Sequence, residues 1–119
     1  MINHIRRHTI SLKHALDGLA WAYRTQPNYR VHVIVGIGVV GAGVFFHVSL
    51  VEWAILTGTI AMGLVIETIN TAIESVADAI TREWKEEIKI AKDVSAAAML
   101  TYAVGASIIA LLLFVPKML

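Results

Sequence analysis

The sequence predicts an all-α integral membrane protein, with an N-terminal amphipathic surface helix followed by three transmembrane helices. Three observations carry this reading. Of the 119 residues, 57% are hydrophobic and the mean hydropathy is +0.69, too apolar for an ordinary water-soluble domain. Three apolar runs are separated by short polar segments, and Lys and Arg crowd into the N-terminal segment and residues 82–92. At this length the chain is one domain, residues 1–119, and the lack of cysteine excludes a disulfide framework and thiolate metal sites.

Residues 2–24 read as the surface helix. Ile5, Leu12, Leu16, Leu19 and Tyr23 share one face within roughly 40°, with Arg6, Arg7, Lys13, His14, Asp17 and Arg24 on another. Pro27 disfavours helix at Gln26 but suits the first turn of a new one, so Thr25-Gln26-Pro27-Asn28 is the break. The first span covers residues 29–48, its apolar run going from Val31 to Val48. Gly36-Ile-Gly38-Val-Val-Gly41 inside it matches a dinucleotide fingerprint only in spelling, because no strand precedes it and no soluble crossover follows. Gly36, Gly38, Gly41, Ala42 and Gly43 are instead expected to let helices approach closely. His32 and His47 mark the ends of this span, and Phe45, Phe46 and Trp53 form an aromatic belt.

The second span lies in residues 50–80, a helix of roughly 45 Å that exceeds a hydrocarbon core of roughly 30 Å, so its last third emerges into water. Thr81 to Asp93 is a charged connection, and the third span occupies residues 92–115, ended by Pro116. Arg6, Arg7, Lys13, Arg24, Arg30, Arg82, Lys85, Lys89 and Lys92 fall on one side of the membrane and Lys117 on the other. The positive-inside bias therefore puts the N-terminus and the 81–93 connection in the cytoplasm. Three spans enclose little interior, which favours a homo-oligomer.

Chemistry concentrates in Glu67-Thr-Ile-Asn70-Thr-Ala-Ile-Glu74-Ser-Val-Ala-Asp78, where a spanning helix turns polar along one side. At about 100° per residue, Glu67, Asn70, Glu74 and Asp78 fall within about 80° of one another. Glu67 follows the apolar run from Trp53 to Ile66, so its carboxylate sits at the hydrocarbon boundary, where a charge is costly and marks function. Glu74 and Asp78 have the chemistry to hold Mg2+, and equally the exposure of ordinary solvated acids. Asn70, one turn from both Glu67 and Glu74, fits a hydrogen-bonding role or packing between spans. Lys92 is either a phosphate contact or a positive-inside anchor. Neither a phosphate-binding Gly-rich loop with Lys nor a protein-kinase signature is present, so any nucleotide site is built from helices.

Nearly the whole chain resembles the prokaryotic diacylglycerol kinase family, which includes undecaprenol kinases. The resemblance is carried by Leu16-Asp-Gly18-Leu, Asn28-Tyr-Arg30-Val-His32, Glu67-x-x-Asn70-Thr-Ala-Ile-Glu74-x-x-x-Asp78 and Ala91-Lys92-Asp93-x-x-x-Ala97. It implies a homotrimer in a bacterial cytoplasmic membrane, with active sites shared between subunits, facing the cytoplasm. It implies transfer of the γ-phosphoryl group of Mg-ATP to a lipid alcohol, undecaprenol ahead of diacylglycerol, with no nucleic-acid partner. In that reading Glu67 is the general base at the lipid substrate and Glu74 a metal ligand. Asn70, Lys92 and Asp93 contact nucleotide, as do the aligned Glu83, Trp84 and Lys85, with Arg7 and His14 as further contacts. The family's second metal carboxylate is here Gln26, a neutral oxygen ligand that holds Mg2+ less strongly, with Asp78 or Asp93 available to compensate. The competing reading is a proton- or ion-translocating subunit that uses Glu67 alone.

Overall fold

The computed structural model describes the backbone of residues 2–119 and the side chains of residues 11–119. Four helices follow one another: α1 (Ile2–Thr25), α2 (Pro27–Phe45), α3 (Leu50–Ile80) and α4 (Glu86–Met118). No strand occurs among the described residues. Helices α2, α3 and α4 are each long and apolar enough to cross a membrane. α3 is the centre, packed against α2 on one side and α4 on the other, and α1 rests against α2 and α3.

The interior is scarcely apolar. Its buried side chains are Ala22, Tyr29, Val48, Leu56 and Ala77 together with the polar Glu67, Asn70, Thr71 and Ser95, while Ile34, Ile37, Val104 and Leu111 point outward. This inverts the pattern of a water-soluble bundle, as expected where acyl chains cover the outer faces. On α1, Leu12, Leu16, Leu19 and Tyr23 are likewise exposed and Ala22 makes the packing contact, which leaves the predicted apolar face open to a bilayer surface.

Local chemistry sets the helix ends. Gln26 takes an extended backbone (φ −102°, ψ 112°) and Pro27 opens α2, as the break at X-Pro predicts. α2 stops at Phe45, three residues short of the apolar run, because His47 adopts a left-handed φ of 51°. There the Val48 N–H donates to Gly43 O at 3.1 Å and the His47 N–H to Val44 O at 3.2 Å, a helix-ending pair in which Val48 is buried. Ser49 then caps α3: its Oγ accepts from Glu52 N at 3.3 Å, and Glu52 Oε2 accepts from Ser49 N at 2.6 Å.

The charged connection is shorter than the sequence predicts. Only residues 81–85 leave the helix, since Glu86 and Glu87 favour the positive end of a new helix and start α4 early. At the other end Pro116 does not terminate α4, which continues to Met118. Proline removes one hydrogen bond in a last turn whose carbonyls are already free, and Lys117 ties that turn to Glu52 at 3.0 Å.

Of the glycines expected to bring helices together, two do. A Cβ on Gly43 would lie 2.8 Å from Trp53 and one on Gly36 3.2 Å from Ile60, whereas Gly38 and Gly41 face open space. The tightest approach was not singled out by the motif: at Gly63 a Cβ would meet the Tyr102 hydroxyl at 2.5 Å.

Candidate active site

The polar face of α3 is the site's spine. Glu67 is 2% exposed despite its charge, and Asn70 and Thr71 beside it are also buried. His32, carried by α2, brings Nε2 to 4.0 Å from Glu67 Oε2. His32 also packs edge-on toward Tyr102 of α4, at 6.5 Å between ring centroids. Tyr102 is fixed by its hydroxyl, which donates to Thr59 O at 2.6 Å, and it fits there because Gly63 has no side chain. His32, Thr59, Gly63 and Tyr102 line an apolar cavity of about 280 Å3 between α2, α3 and α4, which runs past Val35, Ile60 and Ala106 toward Ile109, and Glu67 reaches it only through His32.

One turn further along α3, Asn70 Nδ2 donates to Glu74 Oε1 at 3.4 Å and Asn70 Oδ1 accepts from Ser95 Oγ at 2.6 Å. Glu74 is half-buried and keeps acceptor capacity beyond the Asn70 bond. Among the described residues no cluster of three His, Asp or Glu forms a preassembled metal cage. Mg2+ needs none, since it is commonly held by one or two carboxylates and completed by phosphate and water. Glu74 therefore suits a metal that arrives with a phosphate ligand.

At the end of the stripe, Lys92 Nζ donates to Asp78 Oδ1 at 3.0 Å, both side chains being substantially exposed. Asp78 lies 11 residues beyond Glu67, about 16 Å along α3. In a single chain Lys92 is thus engaged at Asp78, about three turns along α3 from Glu67. Asp93 turns from the stripe to pair with Lys89. Glu83, Trp84 and Lys85 line a shallow hollow of about 240 Å3 with Lys89, Lys92 and Asp93, with the Trp84 indole in the open.

The remaining predicted contacts stand apart. His14 is exposed on α1, and Gln26 spends its amide on Thr25 Oγ1 at 3.4 Å. Among the described residues neither is joined to the α3 stripe by a hydrogen bond or ion pair. The side chain of Arg7 lies outside the described residues. Sequence reasoning treated His32 as an interface residue and passed over Tyr102 and Gly63. Their spacing on separate helices gives no sign that they converge; only the one-turn step from Gly63 to Glu67 put two of the group on a common face.

Comparison with known proteins is consistent with this geometry. The sequence profile described as prokaryotic diacylglycerol kinase matches residues 13–114. The chain is 35% identical over 116 residues to the undecaprenol kinase of Bacillus subtilis, covering 98% of this chain and 94% of that one. It is 35% identical over 111 residues to the diacylglycerol kinase of a Synechocystis species, covering 92% of this chain but only 63% of that longer protein. A diacylglycerol kinase of Pseudomonas aeruginosa is 28% identical over 85 residues, covering 71% of this chain and 69% of the relative. With its three apolar helices and the Glu67-Asn70-Glu74 face, the chain belongs to the prokaryotic diacylglycerol kinase family.

Proposed function

We propose that the protein is an ATP-dependent lipid kinase of a bacterial cytoplasmic membrane, with its N-terminus and active site on the cytoplasmic side. The observation that carries the proposal is a buried carboxylate, Glu67, 4.0 Å from the His32 imidazole that lines the apolar cavity and one turn from a hydrogen-bonded Asn70–Glu74 pair. A lipid alcohol approaching through the bilayer meets Glu67 first, and a phosphate arriving from water meets Glu74 and Lys92.

In this reading the lipid hydroxyl oxygen attacks the γ-phosphorus of ATP, the bond from that phosphorus to the bridging oxygen breaks, and ADP leaves. Glu67 takes the hydroxyl proton as the new P–O bond forms, which is a general-base role suited to a carboxylate in a dry pocket. Asn70 holds Glu74 in place, and Lys92 faces the phosphate charge as a mobile cation. Glu83, Trp84, Lys85 and Asp93 surround the nucleotide, with Arg7, His14 and Gln26 as outer contacts from α1 and its end. Mg2+ bound at Glu74 with the phosphates supplies charge neutralisation there.

Undecaprenol is the favoured acceptor and diacylglycerol the second. One narrow cavity suits one isoprenoid chain better than two acyl chains, and the match to the undecaprenol kinase of Bacillus subtilis extends over nearly both full lengths. The separation of Lys92 from Glu67 supports a homotrimer in which a neighbouring subunit completes each site. An ion-translocating role for Glu67 requires neither the Asn70–Glu74 pair nor Lys92, and family membership weighs against it. The test is transfer of labelled γ-phosphate from ATP, in mixed micelles, to undecaprenol and to diacylglycerol offered separately. Labelling of undecaprenol at the higher kcat/KM is expected; no labelling of either lipid sinks the proposal, and a preference for diacylglycerol corrects the substrate.

A further inference from the structure

Ser95 behaves unlike most of the Ser and Thr hydroxyls in the helices. Thr25, Thr59, Thr68, Ser75, Thr101 and Ser107 each bond back to the carbonyl four residues earlier in their own helix, the usual resting place for such a group. Ser95 instead reaches from α4 to α3 and meets Asn70 Oδ1 at 2.6 Å, with both residues buried. It stands one turn beyond Lys92 and belongs to none of the roles assigned above.

The direction of every bond in the chain Ser95–Asn70–Glu74 is fixed by chemistry. An ionised Glu74 can only accept, so the Asn70 amide nitrogen must face it, 3.4 Å away. That leaves Asn70 Oδ1 toward Ser95, and the hydroxyl must therefore donate. Among the described residues no other side-chain hydrogen bond holds the Asn70 amide plane, so the orientation of the group that steadies Glu74 is set from the neighbouring helix. Removing the hydroxyl leaves a buried carbonyl oxygen without a donor and frees the amide to turn its oxygen toward the carboxylate.

We propose that Ser95 is a positioning residue for metal binding, which orients Glu74 toward Mg2+ through Asn70. The inference rests on the reading of Glu74 as the Mg2+ ligand. Outer-shell partners of this kind act on affinity for the metal, so the signature is a change in Mg2+ requirement larger than any change in kcat.

The experiment compares Ser95→Ala, Ser95→Cys and Ser95→Thr in the full-length protein in phospholipid-containing micelles. Two quantities are read: the Mg2+ concentration giving half-maximal turnover, and the Mn2+ dissociation constant in the presence of a non-hydrolysable ATP analogue, followed by electron paramagnetic resonance. Both are independent of the fraction of protein that is folded. Ser95→Ala and Ser95→Cys should raise both by about tenfold or more, because alanine has no donor and a thiol is a poor one, whereas Ser95→Thr keeps the hydroxyl and should stay within about twofold of wild type. If the alanine variant does not fold, the cysteine and threonine variants decide between them. Unshifted metal binding in Ser95→Ala or Ser95→Cys overturns the proposal, as does a threonine variant as impaired as they are. Glu74→Gln is run alongside: if it too leaves metal binding unchanged, the metal assignment itself has failed, whereas a shift there without one at Ser95 removes only the positioning role.

Discussion

The two ends of the α3 stripe are built on opposite principles. At one end Glu67 is sealed between helices, with the His32 imidazole 4.0 Å from its carboxylate. At the other, Asp78 is wet and already paired with Lys92 at 3.0 Å. A carboxylate that must take a proton from an alcohol gains from a dry setting, where its interactions are not screened by water. A lysine that must grip and release a triphosphate needs the reverse: an exposed ion pair is worth little, so phosphate can displace Asp78 at small cost. Dry and fixed chemistry next to wet and exchangeable binding is the division a lipid kinase needs at a membrane surface.

The difference can be broken first at the buried end. Glu67→Gln keeps shape and removes the proposed base, and kcat should fall by about 10²–10⁴-fold with little change in thermal stability, read by labelled-ATP turnover and a melting curve on the same preparation. At the wet end Lys92→Ala should cost about 10–100-fold in kcat/KM for ATP, chiefly through KM, and this loss should shrink as salt is raised because wild-type binding weakens with it.

Two further changes test packing rather than chemistry. Gly63→Val inserts atoms where Tyr102 sits and should destabilise the protein by about 1–3 kcal/mol, with the apolar cavity distorted and lipid KM raised more than ATP KM. The smallest effect is expected at the far end of α3 and α4, where Glu52 pairs with Lys117 at 3.0 Å and completes the Ser49 cap. Glu52→Gln should shift the chemical-denaturation midpoint only slightly and leave turnover unchanged, since this contact lies outside the polar stripe.

Much of this was readable in advance, and the boundary of legibility has a physical cause. Hydropathy and the Pro27 break locate three spans and a surface helix, and helical period alone places Glu67, Asn70, Glu74 and Asp78 on one face. Period says nothing about the axial offset between helices. That offset brings His32 to Glu67, Ser95 to Asn70 and Tyr102 to Gly63, and it carries Lys92 to Asp78 instead of to Glu67. Helix ends were misjudged where one residue outweighed the pattern: the left-handed His47 shortens α2, and the Glu86–Glu87 pair starts α4 early. The glycine run in α2 shows the same limit, with Gly43 against Trp53 and Gly41 against nothing.

The dry end and the wet end are proposed to serve one reaction, although Glu67 and Asp78 stand about 16 Å apart along α3 of a single chain. Co-assembly of Glu67→Gln chains with Lys92→Ala chains tests it directly. If one subunit lends the carboxylate and its neighbour the lysine, random mixing of the two parents, assayed at ATP well below the wild-type KM where each is strongly impaired, restores about a quarter of the wild-type rate. Activity that stays at the level of the parents, in assemblies shown to contain both chains, would mean that the two residues do not meet across a subunit boundary.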